Sequence, residues 1–181
     1  TGPLNTAVWH TYYNYTYQSC IPPYDWIGPP CRIHGGVPGY SELETYEDNC
    51  HSFQNINGRD CLSLNTYIDP HAYFCTKFKY TSGMIFSDAT YLYGKFEICC
   101  KVPNGKGFLP SFWLWGGTKY IQIPEIDVIE FNGNPTPTLF RDMKKVCFNY
   151  HNHDGIVYDE GTSFTNQDCL SQDFHIFSVE W

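Results

Sequence analysis

From Asp60 to the C-terminus, short runs of β-branched and aromatic residues alternate with turn signals. They fall at 61–68, 72–80, 83–87, 91–102, 108–115, 121–131, 145–151 and 174–181. No stretch keeps a 3.6-residue apolar period, so helix is expected to be scarce. Runs of this length and spacing predict an all-β fold, a sandwich of two antiparallel sheets or a jelly roll. Asn57-Gly58 and Asn104-Gly105 are hairpin-type turn signals. Residues 1–40 are rich in Tyr, Pro and Gly and read as loops with short strand pieces. At 181 residues without internal repeats, the chain is expected to form a single domain, 1–181, with a substantial core.

One run stands apart. Glu125-Ile126-Asp127-Val128-Ile129-Glu130 places three acids among apolar residues. Alternation on a strand puts Glu125 and Asp127 on one face and Ile126 and Val128 on the other, leaving Glu130 out of phase. One extra residue near Val128-Ile129, a β-bulge, would restore the phase and bring all three carboxyls to one surface. Like charges on one sheet face repel, so the arrangement is costly to stability and function is a reason to keep it. The plain alternative is three acids solvated on an outer strand face.

Charge narrows the partners. With 11 Lys plus Arg and a formal net charge of -8, the chain lacks a basic surface able to neutralise a run of phosphates, so nucleic acid is not expected as a partner. No apolar run has the length of a membrane span, so no membrane association is expected, and no signal peptide is recognisable. Nine cysteines without CxxC spacing point to disulfides in an oxidising compartment, with Cys20–Cys31 and Cys50–Cys61 as the first local pairings to expect. Cys99 and Cys100 should face opposite sides of a strand. The Asn14-Tyr15-Thr16 sequon agrees with secretion.

Several stretches occur in a familiar order: Thr81-Ser-Gly-Met-Ile, Tyr93-Gly-Lys-Phe-Glu97, Lys101-Val-Pro-Asn-Gly-Lys-Gly107, Pro110-Ser-Phe-Trp-Leu114, the acid run and Phe174-His-Ile-Phe-Ser-Val-Glu-Trp181. With Ser41-Glu-Leu-Glu-Thr-Tyr46 upstream, the chain resembles glycoside hydrolase family 16. The six-residue acid motif resembles the bulged branch that holds laminarinases, agarases and carrageenases. Leu109 stands where the family usually has Trp. The resemblance implies a β-jelly roll with a concave substrate cleft and retaining hydrolysis of a β-linked polysaccharide. It further implies a catalytic domain incomplete at both ends. By motif position Glu125 matches the nucleophile, Asp127 the assisting carboxylate and Glu130 the general acid/base. Retention needs the attacking and proton-donating carboxyls about 5 to 5.5 Å apart. The charge of Asp127 would help keep Glu130 protonated.

Other residues qualify as substrate contacts. Trp113 and Trp115 share a strand face and offer surfaces on which sugar C–H faces pack, although both could instead fill the core. Trp26 and the stretch from Tyr12 to Tyr24 could form a rim or pack on themselves. His151 and His153 are in phase, yet no third ligand has convincing spacing, so no metal or cofactor is expected. Structural calcium is left open. His151 resembles a histidine found beside the acid/base in some bulged members. His175 is read as a packed, hydrogen-bonded residue, and Glu97 and Glu180 as structural or sugar contacts. The expected protein is a secreted, monomeric endo-glycoside hydrolase acting on β-1,3-glucan of the laminarin type. An agarase- or carrageenase-like β-galactan hydrolase, a transglycosylase and a carbohydrate-binding protein on the same fold are the alternatives.

Overall fold

The computed structural model describes residues 4–5, 7–11, 44–46, 49–68, 80–87, 89–105, 107–116, 124–131, 145–153, 157–165 and 169–181. Among these, every assigned element is a strand. They are β1 (Trp9–His10), β2 (Glu44–Tyr46), β3 (His51–Ile56), β4 (Arg59–Leu64), β5 (Thr66–Ile68), β6 (Tyr80–Ser82), β7 (Phe86–Ser87), β8 (Lys95–Cys100), β9 (Ser111–Trp115), β10 (Glu125–Glu130), β11 (Lys145–His153), β12 (Val157–Thr165) and β13 (His175–Glu180). Two compact units, Thr1–Thr90 and Tyr91–Trp181, are taken in turn. The Cys20–Cys31 pairing, the sequon, Trp26 and the Tyr12–Tyr24 rim lie outside the described residues.

In the first unit β3 and β4 form the hairpin that Asn57-Gly58 predicts. Asn57 has φ 51 and Gly58 φ 82, the two positive values a tight primed turn requires. Asn55 Oδ1 accepts the Gly58 N–H at 2.9 Å and closes the turn. That register opposes Cys61 to Gln54 and carries Cys50 past the far end of the ladder, so the expected Cys50–Cys61 pairing is wrong. Cys61 Sγ donates instead to the Arg59 carbonyl at 3.4 Å. β6 lies between β2, which runs parallel to it, and β5, which runs antiparallel. Gly83 follows β6 because a Cβ there would overlap the Cys50 carbonyl oxygen, which accepts the Asn65 N–H at 2.8 Å. The glycine of the Thr81-Ser-Gly motif thus marks a close approach of two backbones.

The second unit holds a four-stranded sheet in the order β12-β11-β10-β9 and the pair β13-β8. The chain bends at Gly105, whose φ is 152, but Asn104-Gly105 joins no hairpin: β8 pairs with β13 and β9 with β10. On β8, Cys99 is exposed and Cys100 half-buried, as alternation requires. The core cluster is Val102, Ile129, Phe131, Val146 and Leu170, with Phe112, Phe148 and Phe177 packed on it. Phe131 meets Phe177 edge to face at 6.1 Å between centroids, tying the end of β10 to β13.

The bulge is present. Asp127 and Glu130 are three residues apart on β10 but oppose Asn149 and Cys147, two apart on β11. Against β9, Asp127 and Ile129 oppose the consecutive residues Trp113 and Phe112. β10 therefore carries one extra residue relative to both neighbours. Val128 and Ile129, adjacent in sequence, are both only 2% exposed. An unbroken strand would send one of them to the opposite face. Burying both apolar side chains is what turns Glu130 back into phase with Glu125.

Candidate active site

Three cross-strand rows build the face turned away from the core cluster. Trp115, Glu125 and His151 form the first; Trp113, Asp127, Asn149 and Gly161 the second; Ser111, Glu130, Cys147 and Ser163 the third. The acids thus all come from β10; Glu125 and Asp127 are flanked by tryptophans on β9 and by His151 and Asn149 on β11, and Glu130 by Ser111 and Cys147. Trp113 and Trp115 oppose Asp127 and Glu125 in the ladder and so share the acid-bearing face, and their rings are tilted at 53° with centroids 6.1 Å apart.

Asp127 is buried at 4% exposure, and His151 Nε2 lies 3.1 Å from its Oδ2. His151 therefore stands beside Asp127 and across from Glu125, and its charge also acts on Glu130. Glu130 has a different partner, Asn149, whose Nδ2 donates to Glu130 Oε2 at 2.8 Å. Asn149 was not singled out from the sequence. The signal was available, since Asn149 precedes His151 by two residues on a strand and must share its face.

The charge of Asp127 raises the affinity of both glutamates for protons. Glu125 is pushed up to about 7, first by burial, then by the charge of Asp127 and a hydrogen bond with it, while His151 pulls the other way. Glu130 is also raised, first by burial and then by Asp127, with the Asn149 hydrogen bond and His151 opposing. Desolvation and a like charge both penalise the ionised form, and both act here. Two glutamates whose proton affinity is raised, on one face and at the two ends of a six-residue segment, suit chemistry that needs one carboxylate and one carboxylic acid.

Other expected residues lie elsewhere. Glu97 Oε2 pairs with Lys95 Nζ at 2.6 Å on the exposed side of β8, and Glu180 opposes Lys95 in the ladder. His175 packs on Phe177 at 6.3 Å, but its Nε2 is buried with no hydrogen-bond partner, against the expectation of a hydrogen-bonded ring. Leu109 is 51% exposed. The side chain of His153 lies outside the described residues.

A profile of "Glycosyl hydrolases family 16" matches residues 46–181. Among curated proteins, the glucan endo-1,3-beta-glucosidase of Cryptopygus antarcticus is 28% identical over 114 residues, 57% of this chain and 38% of that protein. The beta-glucanase of Rhodothermus marinus is 23% identical over 111 residues, 57% of this chain and 37% of that protein. The chain thus spans well under half the length of these relatives. The solved structure of a Bacteroides ovatus mixed-linkage glucan GH16 protein with a bound product superposes with a TM-score of 0.68 at 19% identity, covering 98% of this chain and 67% of that one. The Bacillus licheniformis beta-glucanase gives a TM-score of 0.63 at 22% identity over 98% of this chain and 64% of its own. The fold class is accordingly the one expected from the strand pattern, an all-β jelly roll.

Proposed function

The chain belongs to glycosyl hydrolases family 16, and from that premise we propose that it is a retaining endo-glycoside hydrolase that cleaves a β-linked glucan at internal β-1,3 bonds. One observation carries the reading: the bulge in β10 sets Glu125, Asp127 and Glu130 on a common face. In this reading Glu125 attacks the anomeric carbon and Glu130, protonated at the outset, donates to the leaving oxygen. The resulting glycosyl-enzyme is hydrolysed by a water that Glu130, now a carboxylate, deprotonates. Asp127, held by His151, stands between the two glutamates on the same face. Trp113 and Trp115 supply the ring surface for the neighbouring sugars.

The β-1,3 preference rests on the six-residue acid motif, which resembles the bulged branch, and on the name of the Cryptopygus relative. Mixed-linkage cleavage is the second reading, favoured by a Rhizobium meliloti relative named endo-1,3-1,4-beta-glycanase, 38% identical over 64 residues. The net charge of -8 argues for a neutral polymer over a sulfated one. A binding protein without turnover would have no need of both glutamates, and both are present. We further propose a secreted monomer that needs no cofactor, on the strength of its cysteine content and site chemistry.

The test is to incubate the protein with laminarin, mixed-linkage glucan, agarose and carrageenan and to measure new reducing ends, with the anomer of the first product read by NMR. Laminarin should be cut fastest, with β product formed first. No new ends on any of the four would remove the reading. Glu125→Ala should abolish turnover, and added azide should restore part of it as an α-glycosyl azide.

A further inference from the structure

Asn149 lies flat across the sheet. Its register partner on β10 is Asp127, yet its Nδ2 reaches diagonally across the bulge to Glu130 Oε2 at 2.8 Å. At the other end of the amide, Oδ1 occupies the space over Gly161, the register partner on β12. A Cβ on residue 161 would overlap that oxygen and stand 3.3 Å from Asn149 Cγ and from the Phe148 carbonyl oxygen.

Glycine weakens a strand interior and is retained there where a close approach demands it. The φ of Gly161 lies outside the left-handed region, so the backbone does not require glycine. Space does. The atom in the way is the tip of a side chain, so a larger residue at 161 would be accommodated by moving Asn149 rather than by breaking the sheet.

We infer that Gly161 is a positioning residue for Glu130: by presenting no side chain on β12 it seats the Asn149 amide, which holds Oε2 of the acid/base and leaves Oε1 to carry the exchanged proton. This rests on the acid/base role proposed for Glu130. A donor on a carboxylate oxygen favours the ionised form. The groups that bear on Glu130 are Glu125 and Asp127 from β10, and Cys147 and His151 from β11 beside Asn149. β9 opposes Glu130 with Ser111, which does not titrate in this range. Losing the Asn149 donor therefore raises the proton affinity of Glu130. The descending, high-pH limb of kcat/KM, which follows loss of the Glu130 proton, moves to higher pH.

The experiment compares the parent chain with Gly161→Ala, Asn149→Ala and the double variant. Gly161→Ala should lower kcat by about ten- to a hundredfold, the scale of a misplaced catalytic group, with KM nearly unchanged and the high-pH limb raised. Asn149→Ala should do the same. In the Asn149→Ala background the added methyl meets no amide, so the double variant should match Asn149→Ala. Multiplying losses in the double variant, or a high-pH limb that stays in place in Asn149→Ala, would overturn the inference. A folding failure confined to Gly161→Ala leaves that comparison intact through the other two variants. Titration of Glu130 by carboxyl ¹³C NMR reads the same displacement without turnover. If the parent cuts none of the glucans, the functional reading fails, yet an unmoved Glu130 titration in Asn149→Ala and Gly161→Ala is still what would overturn the positioning role.

Discussion

Glu125 is asked to be an anion in a place that resists anions. Burial and Asp127 lift it to about 7, so the low-pH limb of kcat/KM, which in the proposed mechanism follows ionisation of Glu125, should have its midpoint near neutrality. Two substitutions should move that limb in opposite directions. Asp127→Asn removes the raising charge and shifts it to lower pH; His151→Ala removes the opposing influence and shifts it to higher pH. Shifts of the same sign would show that the carboxyls are not coupled through Asp127. The same residue should limit stability. Its affinity for a proton is higher folded than unfolded, so its contribution is fully present below about pH 4.5 and is lost as pH rises through about 7. Glu125→Gln stays neutral throughout. Its melting temperature relative to the parent should therefore rise between about pH 5 and about pH 8, and a constant difference would contradict the burial cause.

At the level of elements, the bulge explains why the acid run was readable and where reading failed. The phase conflict of Glu130 was visible in six letters because alternation is strict and the two buried residues, Val128 and Ile129, are apolar. β12 was missed because Asp159-Glu160-Gly161-Thr162-Ser163 carries no apolar alternation. It is held by its nine-residue ladder to β11, a long-range property that local composition cannot report. The Cys50–Cys61 expectation fails for the converse reason: the two are near in sequence, but the register that the Asn57-Gly58 turn imposes sets them apart along the hairpin. Counting outward from that turn would have placed Cys61 opposite Gln54. The bulge also yields a prediction. Deleting Val128 leaves Glu-Ile-Asp-Ile-Glu, which alternates regularly and retains the pairings of Glu125, Asp127 and Glu130 with β11. Stability should fall by about 1.5 to 3 kcal/mol for the lost buried side chain, with turnover retained. Duplicating Val128 should instead put Glu130 out of phase and abolish turnover, as reducing-end assays of both variants would reveal.

For the molecule as a whole, charge and polymer chemistry set the expectation. A chain of net charge -8 gains nothing from long-range steering of an uncharged glucan, so kcat/KM on laminarin should change less than about twofold between roughly 0.01 and about 0.3 M salt. A sulfated galactan should be turned over poorly at the low end and better at the high end. A strong salt dependence on laminarin would point to a charged partner instead. Strand content and jelly-roll class were legible because the runs are short and separated by turn residues such as Asp, Pro, Gly and Asn; the partnership of Asn149 and Gly161 with Glu130 was not, because it spans three strands. The kink in β10 also bears on how such a protein can change over generations. Because both flanking strands treat the surplus residue as slack, a lineage could shed one codon inside its most demanding stretch and leave the working groups where they were.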